Sequence, residues 1–276
     1  MTVRRFRQDK DLPSGTLEFL AQDELRNNVP YGVLQRLRKS PQFFQDYRLF
    51  VVTEADKIRL YAHHTPPFLL CLSSGDPAAA AELAAALKHE GPLPGLLGPL
   101  PIVEAFLDAW PELRTSLPHI ERQGLYRLDQ VVMPPSTGGA FEQGRIEDLD
   151  LYFAWLRDFC RELGEVYAGD EKALDQQRER IEAGDLYCLT HQGRPVCMAI
   201  AARKLPTGQS VSFVYTPPQD RGRGYAAELV ARLSQKLLQD GNQYCCLFTQ
   251  MHNPVSNRIY QRIGYFLVDE FRKYHS

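Results

Sequence analysis

The chain has 276 residues, of which 44% are hydrophobic and 24% charged, and its net charge is -2. That balance suits a globular protein with enough length for one large or two ordinary domains, and two are expected. It excludes an overall basic field toward nucleic acid or an anionic membrane, and no run approaches the roughly eighteen apolar residues of a membrane span.

The start, Met1-Thr2-Val3-Arg4-Arg5-Phe6-Arg7, has no apolar stretch of the secretory kind, so a cytoplasmic location is expected. The six cysteines, Cys71, Cys160, Cys188, Cys197, Cys245 and Cys246, form no Cys-x-x-Cys pair. In a reducing compartment they read as small core residues with free thiols, and no metal is expected.

Helical spacing of apolar residues runs from Asp11 to Ser40. Three short β-rich runs follow, Tyr47 to Thr53, Ile58 to Ala62 and Phe68 to Leu72. Asp76-Pro77 offers an N-cap and first helical residue for an alanine-rich helix ending near His89. An apolar segment within Pro92 to Gly98 precedes a helix over Ile102 to Trp110. Tyr126 to Val132 alternates like a strand, and Met133-Pro134-Pro135-Ser136-Thr137-Gly138-Gly139 reads as a linker or exposed loop. The division expected is 1–135 and 136–276.

In the second half the spacing predicts helices over Leu149 to Leu163 and Glu171 to Ala183, the latter closed by Gly184. Three antiparallel strands are expected over Leu186 to Thr190, Val196 to Ala202 and Ser210 to Tyr215, with Gln192-Gly193 as a tight turn. A long helix opens after Gly224. Its apolar stripe is Ala226, Leu229, Val230, Leu233 and Leu237, with Glu228, Arg232, Gln235 and Gln239 on the opposite, solvent-facing stripe. Tyr244 to Thr249 is a strand, Asn253-Pro254 starts a short helix closed by Gly264, and Tyr265 to Val268 is the last strand.

Chemistry concentrates where the strand ending at Tyr215 meets Arg221-Gly222-Arg223-Gly224-Tyr225-Ala226. Glycines let a backbone approach a phosphate closely, and the first N–H groups of the following helix point at it. Arg221 and Arg223 add two permanent cations. Gly222-x-Gly224-x-x-Ala227 also fits a relaxed dinucleotide fingerprint. That fold, however, would place the loop after its first strand and follow it with further strand-helix units, whereas 52 residues remain after Gly224. No Gly-Lys-Ser/Thr follows, which excludes a Walker loop.

The pattern Arg221-x-x-Gly224-x-Ala226, followed by Asn253-Pro254-Val255-Ser256-Asn257-Arg258-Ile259-Tyr260 and Gly264-Tyr265, resembles the acetyl-CoA-binding signature of the GNAT N-acyltransferase superfamily. The layout is similar to tandem members such as glycine N-acyltransferase-like proteins. The resemblance implies an α/β (α+β) fold, a mixed and mostly antiparallel sheet flanked by helices, in two GNAT-like halves. The first half would be degenerate, because its counterpart loop Ser73-Ser74-Gly75-Asp76-Pro77 lacks paired glycines and arginines and carries an acid that would repel pyrophosphate.

The activity implied is transfer of an acyl group, acetyl first, from acyl-CoA to the primary amine of a small molecule or peptide by direct attack, with the protein acting as monomer or homodimer. Pyrophosphate would lie on the amides from Gly222 to Ala226 (Gly222, Arg223, Gly224, Tyr225, Ala226), with Arg221 or Arg223 adding charge. By family position the pantetheine amides would pair with Phe213, Val214 and Tyr215. Asn253, Ser256, Asn257 and Tyr260 share one helical face. The resemblance makes Tyr260 the general acid for the departing thiolate and Asn253 and Asn257 cofactor contacts. Many relatives carry a glutamate on the strand before the loop, where this chain has Ser210 and Ser212, so the base is open between a hydroxyl relay, Glu162 and Glu165. A non-catalytic acyl-CoA sensor and aminoacyl transfer from charged tRNA are the alternatives, the latter needing a basic groove that the net charge does not suggest.

Overall fold

The computed structural model describes residues 1–167 and 169–276, which fall into two compact units. The first comprises Met1–Leu125, Gln250–His252 and Val268–Ser276, the second Tyr126–Thr249 and Asn253–Leu267.

The first unit contains strands β1 (Thr2–Phe6), β2 (Arg48–Glu54), β3 (Lys57–His64), β4 (Leu70–Leu72) and β5 (Gly95–Pro99). Its helices are α1 (Thr16–Ala21), α2 (Asn28–Lys39), α3 (Pro77–Leu87), α4 (Leu100–Asp108) and α5 (Pro111–Ser116). Strand β6 (His119–Leu128) starts here. β1, β2, β3 and β4 pair antiparallel in that order, and β4 and β5 pair parallel. Leu60 and Ala62 of β3 face one side, where Leu83, Phe106 and Trp110 complete a core. The period of two sends Tyr61 and His63 to the other face, where both are buried.

The buried His63 predicts acid lability. Burial, reinforced by neighbouring His64, lowers the His63 imidazole to about 3 from its ordinary 6.5. The folded ring therefore stays neutral while the unfolded chain takes up a proton below 6.5, so its contribution to stability is full above that pH and is lost as pH falls toward 3. At pH 4.5 the loss is on the order of 2 to 3 kcal/mol. Urea midpoints at pH 7.5 and 4.5 should differ less in His63→Phe than in the wild type, and equal pH dependence would refute the assignment.

The second unit contains β7 (Ala140–Gln143), α6 (Leu149–Leu163), α7 (Asp170–Glu182), β8 (Leu186–His191), β9 (Arg194–Lys204), β10 (Gly208–Tyr215), α8 (Tyr225–Gln239), β11 (Tyr244–Gln250) and α9 (Pro254–Ile263). β7 to β10 pair antiparallel in sequence order, and β10 pairs parallel with β11. The run Val196 to Ala201 is apolar throughout because both faces of β9 are covered. Cys197, Ala199 and Ala201 pack with Leu229 and Leu233 of α8, whereas Met198 and Ile200 pack with Trp155 and Leu156 of α6. At the β8–β9 turn Gln192 and Gly193 have φ of 52° and 77°, the two positive values a tight primed turn requires.

The last strand, β12 (Phe266–His275), is longer than expected and belongs mostly to the first unit, where Phe271–His275 pair antiparallel with Pro99–Gly95 of β5. Compared with the expected division at 135/136, residues 126–135 group with the second unit and 268–276 with the first. Strand exchange is a matter of backbone pairing and carries no marker in side-chain order. β1 and β7 were not anticipated either: both run along sheet edges with largely exposed residues, so neither shows apolar alternation.

Glu228 corrects the expected polar stripe of α8. Its side chain is 1% exposed, because residues 136 and 137 cover that side of the helix.

Candidate active site

β10 departs from regular pairing where the pantetheine contacts are expected. Val211 and Ser212 sit opposite Ala201 and Ile200, but Tyr215 sits opposite Met198, so β10 contains one extra residue. Phe213 takes it up at φ 51°, a β-bulge. On the other side, the parallel pairing with β11 joins Gly208–Ser210 to Tyr244–Cys246 and stops short of Phe213–Tyr215. The end of β10 is thereby set apart from β11.

The loop then turns into α8. Gly222 and Gly224 have φ of 76° and 85°, values that favour glycine, and a side chain at Gly222 would meet nothing within 4 Å. The first intrahelical bond of α8 runs from Glu228 N–H to the Gly224 carbonyl at 3.1 Å, leaving the amides of Tyr225, Ala226 and Ala227 ahead of it. Asp220, 1% exposed, holds the base of the loop through a bidentate pair with Arg194 at 2.7 and 2.8 Å. Arg194 keeps the Asp220 carboxyl below the usual carboxylate range.

The two loop arginines differ. Arg221 is committed: its guanidinium donates to Glu162 at 2.7 and 2.9 Å and to the Thr216 carbonyl at 2.8 Å, lying over the Tyr215 ring. Arg223 is 57% exposed and 3.8 Å from Asp220, the less committed of the two. Glu162 also accepts from the Tyr215 hydroxyl at 3.1 Å, so its carboxylate is occupied on both sides. Burial, then that carboxylate, pushes the Tyr215 phenol up to about 12. Glu165 follows the end of α6, where its N–H donates to the Cys160 carbonyl at 2.9 Å. Ser212 shares the α6-facing side of the sheet with its partner Ile200, and among the described residues no group bonds its buried hydroxyl.

On α9 the Asn253 side chain accepts from Ser256 N–H at 3.1 Å and caps the helix. Asn257 lies one turn on, its carbonyl oxygen buried. Tyr260 is half-buried, its ring 6.0 Å from that of Tyr265 in an edge contact. Burial, then proximity to Cys197, raises its phenol well above 10. The Cys197 thiol accepts from Thr216 Oγ1 at 3.1 Å, so Tyr260 stands close to where β10 ends and the loop begins. Tyr260 of α9 is thus linked through Cys197 to Thr216 at the end of β10.

Residues 191–274, from the end of β8 to β12, match the family model described as FR47-like protein. Solved structures align over almost the whole chain. One is an acetyltransferase of the GNAT family from Colwellia psychrerythraea, at 11% identity and TM-score 0.59, covering 100% of this chain and 99% of that one. Another is a GCN5-related N-acetyltransferase from Sphaerobacter thermophilus, at 13% identity and TM-score 0.67, covering 99% and 95%. A third is a tandem GNAT protein from the clavulanic acid biosynthesis pathway, at 14% identity and TM-score 0.58, covering 100% and 98%. The fold is a tandem GNAT fold. No significant match is found among curated proteins.

Within this GNAT fold, several donors of the first unit's loop Ser73-Ser74-Gly75-Asp76-Pro77 are bonded internally. Ser73 N–H bonds the Tyr61 carbonyl, Ser74 N–H and Oγ bond Asn27 Oδ1, and Asp76 N–H bonds the Arg59 carbonyl. The Asp76 carboxylate itself caps Ala78 N–H at 2.9 Å. A side chain at Gly75 would fall 2.3 Å from the Arg59 carbonyl oxygen. Among the described residues no helix is long and apolar enough to cross a membrane, and no cluster of metal-binding side chains occurs.

Asp220 has no sequence signal of its own, and Glu228, Ser136 and Thr137 read in the sequence only as a solvent-facing residue and a loop. Pro-Pro-Ser-Thr-Gly-Gly was legible as a turn-rich segment, but nothing in it indicated the helix it would cover.

Proposed function

We propose that the second unit is an acyl-CoA-dependent N-acyltransferase, with acetyl as the first acyl group to test and a small-molecule or peptide amine as acceptor. The observation that carries the reading is the junction itself: a bulged, separated strand end leading into two left-handed glycines and the open amides of a helix N-terminus. That junction suits a ligand with amides at one end and a pyrophosphate at the other. When bound, acyl-CoA would supply the activated thioester.

The chain's own residues would do the rest. Amides from Gly222 to Ala226 and the Arg223 guanidinium would hold the phosphates. The backbone of Phe213 to Tyr215 would orient the pantetheine. Tyr260, kept protonated at neutral pH by its raised pKa, would hold the proton needed at the sulfur. The strand offers the Ser212 hydroxyl, in place of a carboxylate, for passing the amine's proton toward solvent. Glu162 is the weaker candidate, because Arg221 and Tyr215 already occupy it.

Calorimetric titration of the full chain with acetyl-CoA and, separately, NADH tests this. Acetyl-CoA should bind with a stoichiometry of one per chain, the first unit's loop being closed to it, and NADH should not bind. Binding of NADH alone would assign the loop to a dinucleotide, and two acetyl-CoA per chain would overturn the account of the first unit.

A further inference from the structure

Glu228 is a charged side chain at 1% exposure, one turn into α8, whose carboxylate the reading above does not use. It accepts from Thr137 N–H and Thr137 Oγ1, both at 2.6 Å, and from Ser136 Oγ at 3.3 Å. Arg232 pairs with it at 2.6 Å. Ser136 Oγ in turn accepts from Gly138 N–H at 3.1 Å, closing residues 136–138 into a small turn on the carboxylate. The Thr137 methyl lies 3.3 Å from where a side chain at Gly224 would begin.

We propose that Glu228 is a positioning residue for coenzyme A: by tying residues 136–138 across the first turn of α8, it fixes one wall of the anion loop at Gly224. The proposal rests on the acyltransferase reading. A carboxylate on a surface helix needs only water, and burying it is costly unless donors replace that water. Here three donors and a guanidinium do so, which also keeps its negative field from opposing a phosphate one turn away. Pro134-Pro135 before the turn stiffen the approach, and Gly138-Gly139 after it let the chain leave.

The test compares wild type, Glu228→Ala, Glu228→Gln and Thr137→Val as full-length chains, with coenzyme A as probe, well below the melting midpoint of each. Glu228→Ala should raise the Kd about tenfold or more and speed amide exchange at Thr137 and Gly138 in the ligand-free protein. Glu228→Gln keeps an oxygen for Thr137 N–H and should recover most of both the affinity and the exchange protection at Thr137 and Gly138. Thr137→Val deletes one donor while keeping the branched shape and should weaken binding about threefold. It decides the matter if Glu228→Ala does not fold. Faster exchange with an unchanged Kd, or a Kd within about twofold in both Glu228→Ala and Thr137→Val, would overturn the proposal and leave the acyltransferase reading standing. A wild type that binds no coenzyme A would overturn both.

Discussion

Gly224→Glu is expected to abolish coenzyme A binding while leaving the chain folded. Three effects act together at that residue. Its φ of 85° lies in the left-handed region, where a side chain costs about 1 kcal/mol or more. The new Cβ would stand 3.3 Å from the Thr137 methyl, displacing the wall beside the loop. The added carboxylate would sit among the amides proposed to hold phosphate, replacing attraction by repulsion. A rise in Kd of at least about a hundredfold follows, equivalent to about 2.7 kcal/mol. Gly224→Ala separates the causes, since it adds strain and crowding without charge and should weaken binding only about fivefold to tenfold. Isothermal titration with both variants, beside their melting curves, checks this. Wild-type affinity in Gly224→Glu would remove the glycine loop from the ligand site.

Tyr260→Phe should lower kcat about a hundredfold with coenzyme A affinity unchanged. Loss of a positioned proton donor costs a factor in the range 10²–10⁴, and the raised phenol sets the weaker end, since a less acidic donor transfers its proton less readily. Phenylalanine keeps the edge contact with Tyr265 at 6.0 Å, so the fold should lose little. The sign of the pH effect is also fixed. Burial raises the phenol above 10, so Tyr260 stays protonated through neutral and mildly alkaline pH and causes no alkaline decline below about 10. Rates of thiol release with a responsive amine, at saturating acetyl-CoA, measure kcat directly. A kcat within about threefold of wild type would exclude Tyr260 as the acid.

Asn253 shows the limit of reading a site from residue types. Its place ahead of Pro254 announced a helix cap, and its side chain does cap Ser256 N–H at 3.1 Å. The shared face of Asn257 and Tyr260 was legible from helical spacing alone. Arg221, by contrast, read as a phosphate ligand because it lies beside glycines, yet its guanidinium is paired with Glu162, fifty-nine residues earlier. A local pattern reports which charge is near the loop, but not which opposite charge the fold brings to it.

The amino-acid order by itself determined the helices and strands of residues 144–264, because apolar periodicity, glycine caps and the Gln192-Gly193 turn act over a few neighbours. It also determined the glycine loop, since only glycine takes those φ values readily. Tertiary structure alone decided three things: that β12 pairs with β5 of the first unit, that residues 136–138 bury Glu228, and that Tyr260 meets the end of β10 beside Cys197. Backbone pairing between distant strands uses N–H and C=O groups common to every residue. A buried charge becomes visible only when its donors arrive from elsewhere in the chain.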